Sequence, residues 1–289
     1  IRRGIRALTL HKVGGVAVNA TDNLLIAKML GLALVGVYAN YQMVFNSAQT
    51  LIALLFSAML PSVGNLGIRG DRRRMTETFR RAEFAGFYLT AVMAACLLSL
   101  VNPFVAWWVG EAYLLPEGTL LALLANFYLK QMRLPLLTFR DATGSYRRDR
   151  FKPVAEAAVN LIASIWLVRR YGLAGVFLGT IAGTVAVALV VEPVIVHRAC
   201  LDTPLGRYYL RLFLYTLLLS ATCAAARWAG GLVPAYTLFG LLLRGTLVFA
   251  MANACLLPAL WFTREGRFIR ALLMRALRAL RRSAAVRRA

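Results

Sequence analysis

The sequence has 289 residues, 60% of them hydrophobic, with a mean hydropathy of +0.65 and a formal net charge of +22. Several apolar runs reach about 20 residues, the length that spans a bilayer core, and this excludes a soluble globular domain. The basic residues stand between those runs, where the positive-inside rule places them, so the charge does not call for nucleic acid.

Hydrophobic patterning predicts an all-α polytopic membrane bundle. Eight crossings are expected, at about 10 to 31, 35 to 59, 84 to 109, 119 to 139, 153 to 168, 173 to 196, 208 to 229 and 237 to 262. The chain opens at Ile1 on IRRGIRALTLHK, without an initiating Met or a signal-peptide cleavage pattern, which predicts the C-terminal part of a longer protein. Most of the 34 basic residues fall before the first crossing, at 69–81, 147–152 and 198–211, and after Trp261. Threading the chain puts all of these on one side, read as cytoplasmic, with both termini inside. The opposite side carries Glu111 and Glu117 and an aromatic belt of Trp107, Trp108, Tyr113, Tyr171 and Trp228, with Arg169 and Arg170 as exceptions. Cys96, Cys200, Cys223 and Cys255 stand singly, with neither metal nor disulfide spacing.

In the first crossing Asn19, Asp22 and Asn23 share one helical face near mid-depth. An ionised side chain at the bilayer centre costs about 2.5 to 3.5 kcal/mol even on the mildest scale, so Asp22 is expected to face water, a partner or a substrate. The alternative is that it pairs with a neighbouring helix and holds the bundle together. The second crossing bears Gln42, Asn46 and Gln49, a polar stripe that either lines a cavity or bonds between helices. The stretch that follows, PSVGNLGIRGDRRRMTETFRR, mixes turn residues with arginines and reads as a basic loop near anionic headgroups.

The fourth crossing, ANFYLKQMRLPLLTFR, places Asn126, Lys130, Arg133 and Arg140 along one face, and Pro135 should bend it. Lys130 and Arg140 are about 15 Å apart along a helix, so the cations run from mid-membrane to the inner surface. Such a column suits an anionic substrate, because Lys and Arg bind phosphate oxygens through charge-assisted hydrogen bonds. Otherwise Lys130 pairs with Asp22 or Glu156, and the arginines snorkel. In the fifth crossing Glu156, Asn160 and Ser164 form another polar stripe. Glu156 could take a proton, neutralise a substrate-free Arg133, or be solvated at the inner end. The sixth holds Gly175, Gly179 and Gly183, a small-residue face for close helix packing, and Glu192, read as interfacial. Arg244 is the only deep charge of the last pair, and the tail after Trp261 fits an amphipathic helix on anionic inner-leaflet lipids.

HKVGGVAVNATDNLLIAKMLGLALVGVYANYQMV resembles the seventh and eighth helices of bacterial polysaccharide-unit flippases. These form the Wzx-like branch of the multidrug/oligosaccharidyl-lipid/polysaccharide (MOP) superfamily. PSVGNL, NPFVAWWVGEAYLL, NFYLKQMRLPLLTFRDATGSYRRDRFKP, EAAVNLIASIWLV and YGLAGVFLGTI extend the resemblance, in order, over about residues 8 to 198. It implies two six-helix lobes and two extra helices around a cationic cavity that opens alternately to either side. It also implies export of undecaprenyl-pyrophosphate-linked sugar units across a bacterial inner membrane, with ion coupling.

Carried onto this chain, residues 1–198 look like the second lobe, 199–263 like the two additional helices, and 264–289 like a basic cytoplasmic tail. The expected substrate-binding residues are then Lys130, Arg133, Arg140, Asn126, Asn46 and Asn160, and the coupling residues Asp22 and Glu156. The first lobe is absent, so a missing segment or partner should supply the other half of the cavity. No cofactor, metal or covalent step is expected. The rival functions are a drug or cation antiporter of the same superfamily, a membrane enzyme of glycan assembly, and a non-transporting scaffold. Short outer loops without paired acids or a histidine cluster disfavour the enzyme.

Overall fold

The computed structural model describes residues 21–145 and 151–268, together with 270, 271 and 274. Among them all regular structure is helical. Residues 21–29 form α1, followed by α2 (Leu32–Arg69), α3 (Arg72–Trp108), a short 3-10 turn at Glu111–Tyr113, and α4 (Glu117–Ala142). Next come α5 (Lys152–Tyr171), α6 (Leu173–Cys200), α7 (Leu205–Gly231) and α8 (Leu238–Phe262). Among the described residues five helices, α2, α3, α6, α7 and α8, are long and apolar enough to cross a membrane. The first expected crossing, including Asn19, lies largely outside the described residues, as does most of the basic tail.

Short links reverse the chain between consecutive helices. Glycines stand where the backbone turns through positive φ: Gly70 (φ 69) ends α2 in the left-handed conformation, its N–H donating to Gly67 O. Asp71 then caps α3 by accepting from the Arg74 N–H at 2.9 Å. Alternate helix ends therefore gather into two faces. One carries the arginines of 69–81; the other carries Trp107, Trp108, Tyr113, Tyr171 and Trp228, all exposed.

The stretch read as a basic loop is helical on both sides of Gly70. Pro61 sits inside α2, and Val63 is buried beyond it. Gly67 lies close to Met75 and Thr143, so the end of α2 still has a surface to pack against. Thr76, Phe79 and Ala82 are likewise buried on α3, and that packing outweighs the turn preferences of the sequence. At about 57 Å for its 38 residues, α2 is longer than the roughly 30 Å of a hydrocarbon core.

Helix α3 is the centre of the bundle, packing on α2, α4, α7 and α8, while α4 packs on α2, α3 and α6. The core is aromatic: Tyr41, Phe45, Phe79, Phe87, Phe127, Phe139 and Phe177 are among its largest enclosed side chains. Near the aromatic end, the Tyr41 hydroxyl donates to Asn102 Oδ1 at 2.7 Å and accepts from the Leu115 N–H at 3.0 Å. This ties α2, α3 and the approach to α4 into one rigid corner.

The α5–α6 pair is packed on the three glycines. A Cβ on Gly179 would run into the Ser164 backbone, and one on Gly183 would stand 2.9 Å from Glu156 O. Only glycine lets the two backbones approach so closely. That approach brings the polar stripe of α5 against α6 and builds the wall of the site.

Candidate functional site

Helices α2, α4, α5 and α6 enclose an open-sided cavity of about 450 Å³. Its cations are Lys130, Arg133 and Arg140 from α4 and Lys152 from the start of α5. Its amides are Gln42, Asn46 and Gln49 from α2 and Asn126 from α4. Glu156 is the one carboxylate on the wall among the described residues. The helical period explains the grouping, since each stripe recurs every three or four residues and so faces one direction.

Arg133 is held by two acids. Its Nε and Nη2 donate to Glu192 Oε2 and Oε1 at 3.0 and 2.6 Å, and its Nη1 donates to Glu156 Oε1 at 2.8 Å, with Nη2 3.4 Å from Glu156 Oε2. Lys152 Nζ closes the group, donating to Glu192 Oε1 at 2.6 Å and lying 2.9 Å from Glu156 Oε2. Two cations thus balance two carboxylates at the junction of α4, α5 and α6. Glu192 is not interfacial as the sequence suggested: it is completely buried. The π-helical turn at Thr184–Ala188 explains the difference. On a regular helix Glu192 would lie about 120° around the axis from Thr180, and the extra residue of a π turn removes about 100° of that. The carboxylate thereby turns from the periphery toward Arg133.

A second cluster lies behind the cavity wall. Asp22 is buried, and the Thr180 hydroxyl donates to its Oδ2 at 3.2 Å, while Asn160 Nδ2 reaches its Oδ1 at 3.4 Å. The Ser164 hydroxyl donates to Asn160 Oδ1 at 2.9 Å, and Val176 O accepts from both Ser164 and Thr180. Asp22 and Asn160 do not line the cavity; Thr180, which does, stands between them and it. Lys130 is the cation whose charge acts on Asp22, yet among the described residues it makes no ion pair or hydrogen bond. Arg140 pairs with the adjacent Asp141, its Nη2 2.8 Å from Oδ1. Asn126 is buried, and among the described residues its Oδ1 lacks a partner.

Of the residues expected from sequence, Lys130, Arg133, Arg140, Asn126, Asn46 and Glu156 share the cavity wall, while Asn160 and Asp22 form the oxygen-rich layer behind it. Sequence reasoning missed Glu192, Lys152 and Thr180. Glu192 is a carboxylate in an apolar run, the same signal that singled out Asp22, and Lys152 precedes Glu156 at the i,i+4 spacing of a helical ion pair. Thr180 carries no such mark, standing beside Gly179 on a face read as packing only.

Five membrane-length apolar helices, with polar and charged side chains turned inward, define a polytopic helical membrane protein. Comparison with family models, with curated proteins and with solved structures finds no match to this chain.

Proposed function

We propose that the protein is the second lobe and additional helix pair of a Wzx-like flippase, which exports undecaprenyl-pyrophosphate-linked oligosaccharides by alternating access. On this reading α4, α5 and the helix containing residues 21–29 also cross the bacterial inner membrane, giving eight crossings with both ends cytoplasmic. The observation that carries it is the cavity wall: cations bordered by amides, inside an apolar bundle. Pyrophosphate oxygens suit the cations, and sugar hydroxyls suit Gln42, Asn46, Gln49 and the unpartnered Asn126 oxygen. The open side of the cavity faces a second lobe, supplied by the same polypeptide or by a partner.

The Asp22, Asn160 and Thr180 oxygens supply the coupling site, for a proton or a small monovalent cation. Cationic drugs, the substrates of the antiporter alternative, meet repulsion from Lys130. The test is polysaccharide export in cells that depend on the full-length protein. Lys130→Ala should abolish most of it at unchanged membrane abundance, Arg133→Ala should abolish most of it per molecule that reaches the membrane, and normal export in both would refute the cationic site.

A further inference from the structure

Arg133 offers two bidentate edges, and the two carboxylates on them have different surroundings. Glu192 holds the Nε–Nη2 edge from a fully buried position off the cavity wall, with Lys152 on its other side. Glu156 holds the Nη1–Nη2 edge from the wall itself, where its side chain remains 14% exposed. Beyond the two cations, among the described residues only the Thr184 hydroxyl approaches it, at 3.5 Å.

We propose that Glu156 is a resident stand-in for the substrate's phosphate: an entering phosphate displaces it from Arg133 and Lys152, while Glu192 stays as the fixed counter-ion. The Nη1–Nη2 fork donates to two phosphate oxygens in the geometry in which it now donates to two carboxylate oxygens. Lys152 supplies a point charge beside the fork, and Lys130, without an ion pair among the described residues, adds a third cation one helical turn away. In the empty state Glu156 compensates cations that would otherwise stand in a low-dielectric cavity. It also sets a threshold: weakly held anions do not displace it, whereas a multiply charged phosphate does. Glu156 thereby acts as a specificity-determining residue through competition, without itself contacting the cargo.

This inference rests on the anionic-cargo reading of the cavity, but it is read by binding and not by translocation. Full-length protein in nanodiscs would be titrated with inorganic pyrophosphate in one arm and loaded with a polyprenyl pyrophosphate in another. Glu156→Gln should bind at least about tenfold tighter than wild type, and Glu156→Asp, which keeps the charge but shortens the reach, should lie between them. Tightening in both arms marks a site for the phosphate group itself, and tightening in the lipid arm alone marks one that admits it only from the membrane. Unchanged or weaker binding in both arms overturns the proposal.

Because the variants alter a folded ion pair, wild type supplies an independent check. Pyrophosphate or the lipid should raise carbodiimide labelling of Glu156, measured by mass spectrometry, at least twofold, and no rise with either ligand overturns displacement. Tighter binding without export in cells would remove the flippase reading and leave this site standing.

Discussion

Glu156 and Glu192 are one residue type on one arginine, and their surroundings give them different roles. Removing one partner of a buried ion pair leaves the other charge uncompensated, which costs about 3 to 5 kcal/mol. Glu192, with no solvent contact, falls in that range, whereas Glu156 lies at the edge of a cavity that water can enter. Glu192→Gln should therefore lower the melting temperature in detergent clearly more than Glu156→Gln, and equal losses would show that the two carboxylates are equivalent. Asp22→Asn tests the other cluster. It keeps the side-chain shape and a carbonyl oxygen for Thr180, so folding should survive, while transport in proteoliposomes should lose its response to the sodium or proton gradient. An unaltered gradient response would remove Asp22 from coupling. Asp22 and Lys130 were legible in the sequence because a charge inside an apolar run is conspicuous on its own. The partners of Asp22 were not, since pairing depends on how neighbouring helices rotate.

Helix α6 shows where one-dimensional reading holds and where it stops. Its glycines recur every four residues, so their common face and its close packing on α5 follow from the helical period. The orientation of Glu192 does not, because a π-helical turn lies between it and that face. Nor did the turn-forming residues after Pro61 reveal that α2 continues, since burial against Met75 and the end of α4 outweighs local propensity. The glycine face itself gives a quantitative expectation. Gly179→Ala places a methyl group 2.6 Å from Ser164 Cα, and overpacking of that kind costs typically about 1 to 3 kcal/mol. Gly36→Ala, within α2 and with nothing near its added carbon, should be neutral or stabilise by up to about 1 kcal/mol. Thermal unfolding of the two variants in detergent checks the pair, and an equally mild Gly179→Ala would mean that α5 and α6 are not tightly apposed.

At the scale of the whole molecule the charge distribution makes the strongest claim. Arginines gather where α2 ends and α3 begins, while exposed aromatics gather at the opposite ends of α3, α5 and α7. Sequence reading reached this two-ended arrangement because the sorting of charges needs only the order of the crossings. It expected eight of them; the five that stand out by apolarity exclude α4 and α5, whose charges and polar stripes are what build the cavity. The positive-inside rule predicts an orientation for the bundle, with the arginine end expected in the cytoplasm. Ile68 is 87% exposed at that end and Tyr236 is 86% exposed at the other, so each accepts a reporter without disturbing the core. With Cys96, Cys200, Cys223 and Cys255 replaced by serine or alanine, a membrane-impermeant maleimide should label Tyr236→Cys in intact cells. It should label Ile68→Cys only after permeabilisation. The reverse pattern would invert the molecule, and labelling of both positions in intact cells would mean that the two ends do not lie on opposite sides of a membrane. On the flippase proposal, the expected pattern places the Arg140 end of the cation column on the side where a cargo assembled in the cytoplasm would be loaded.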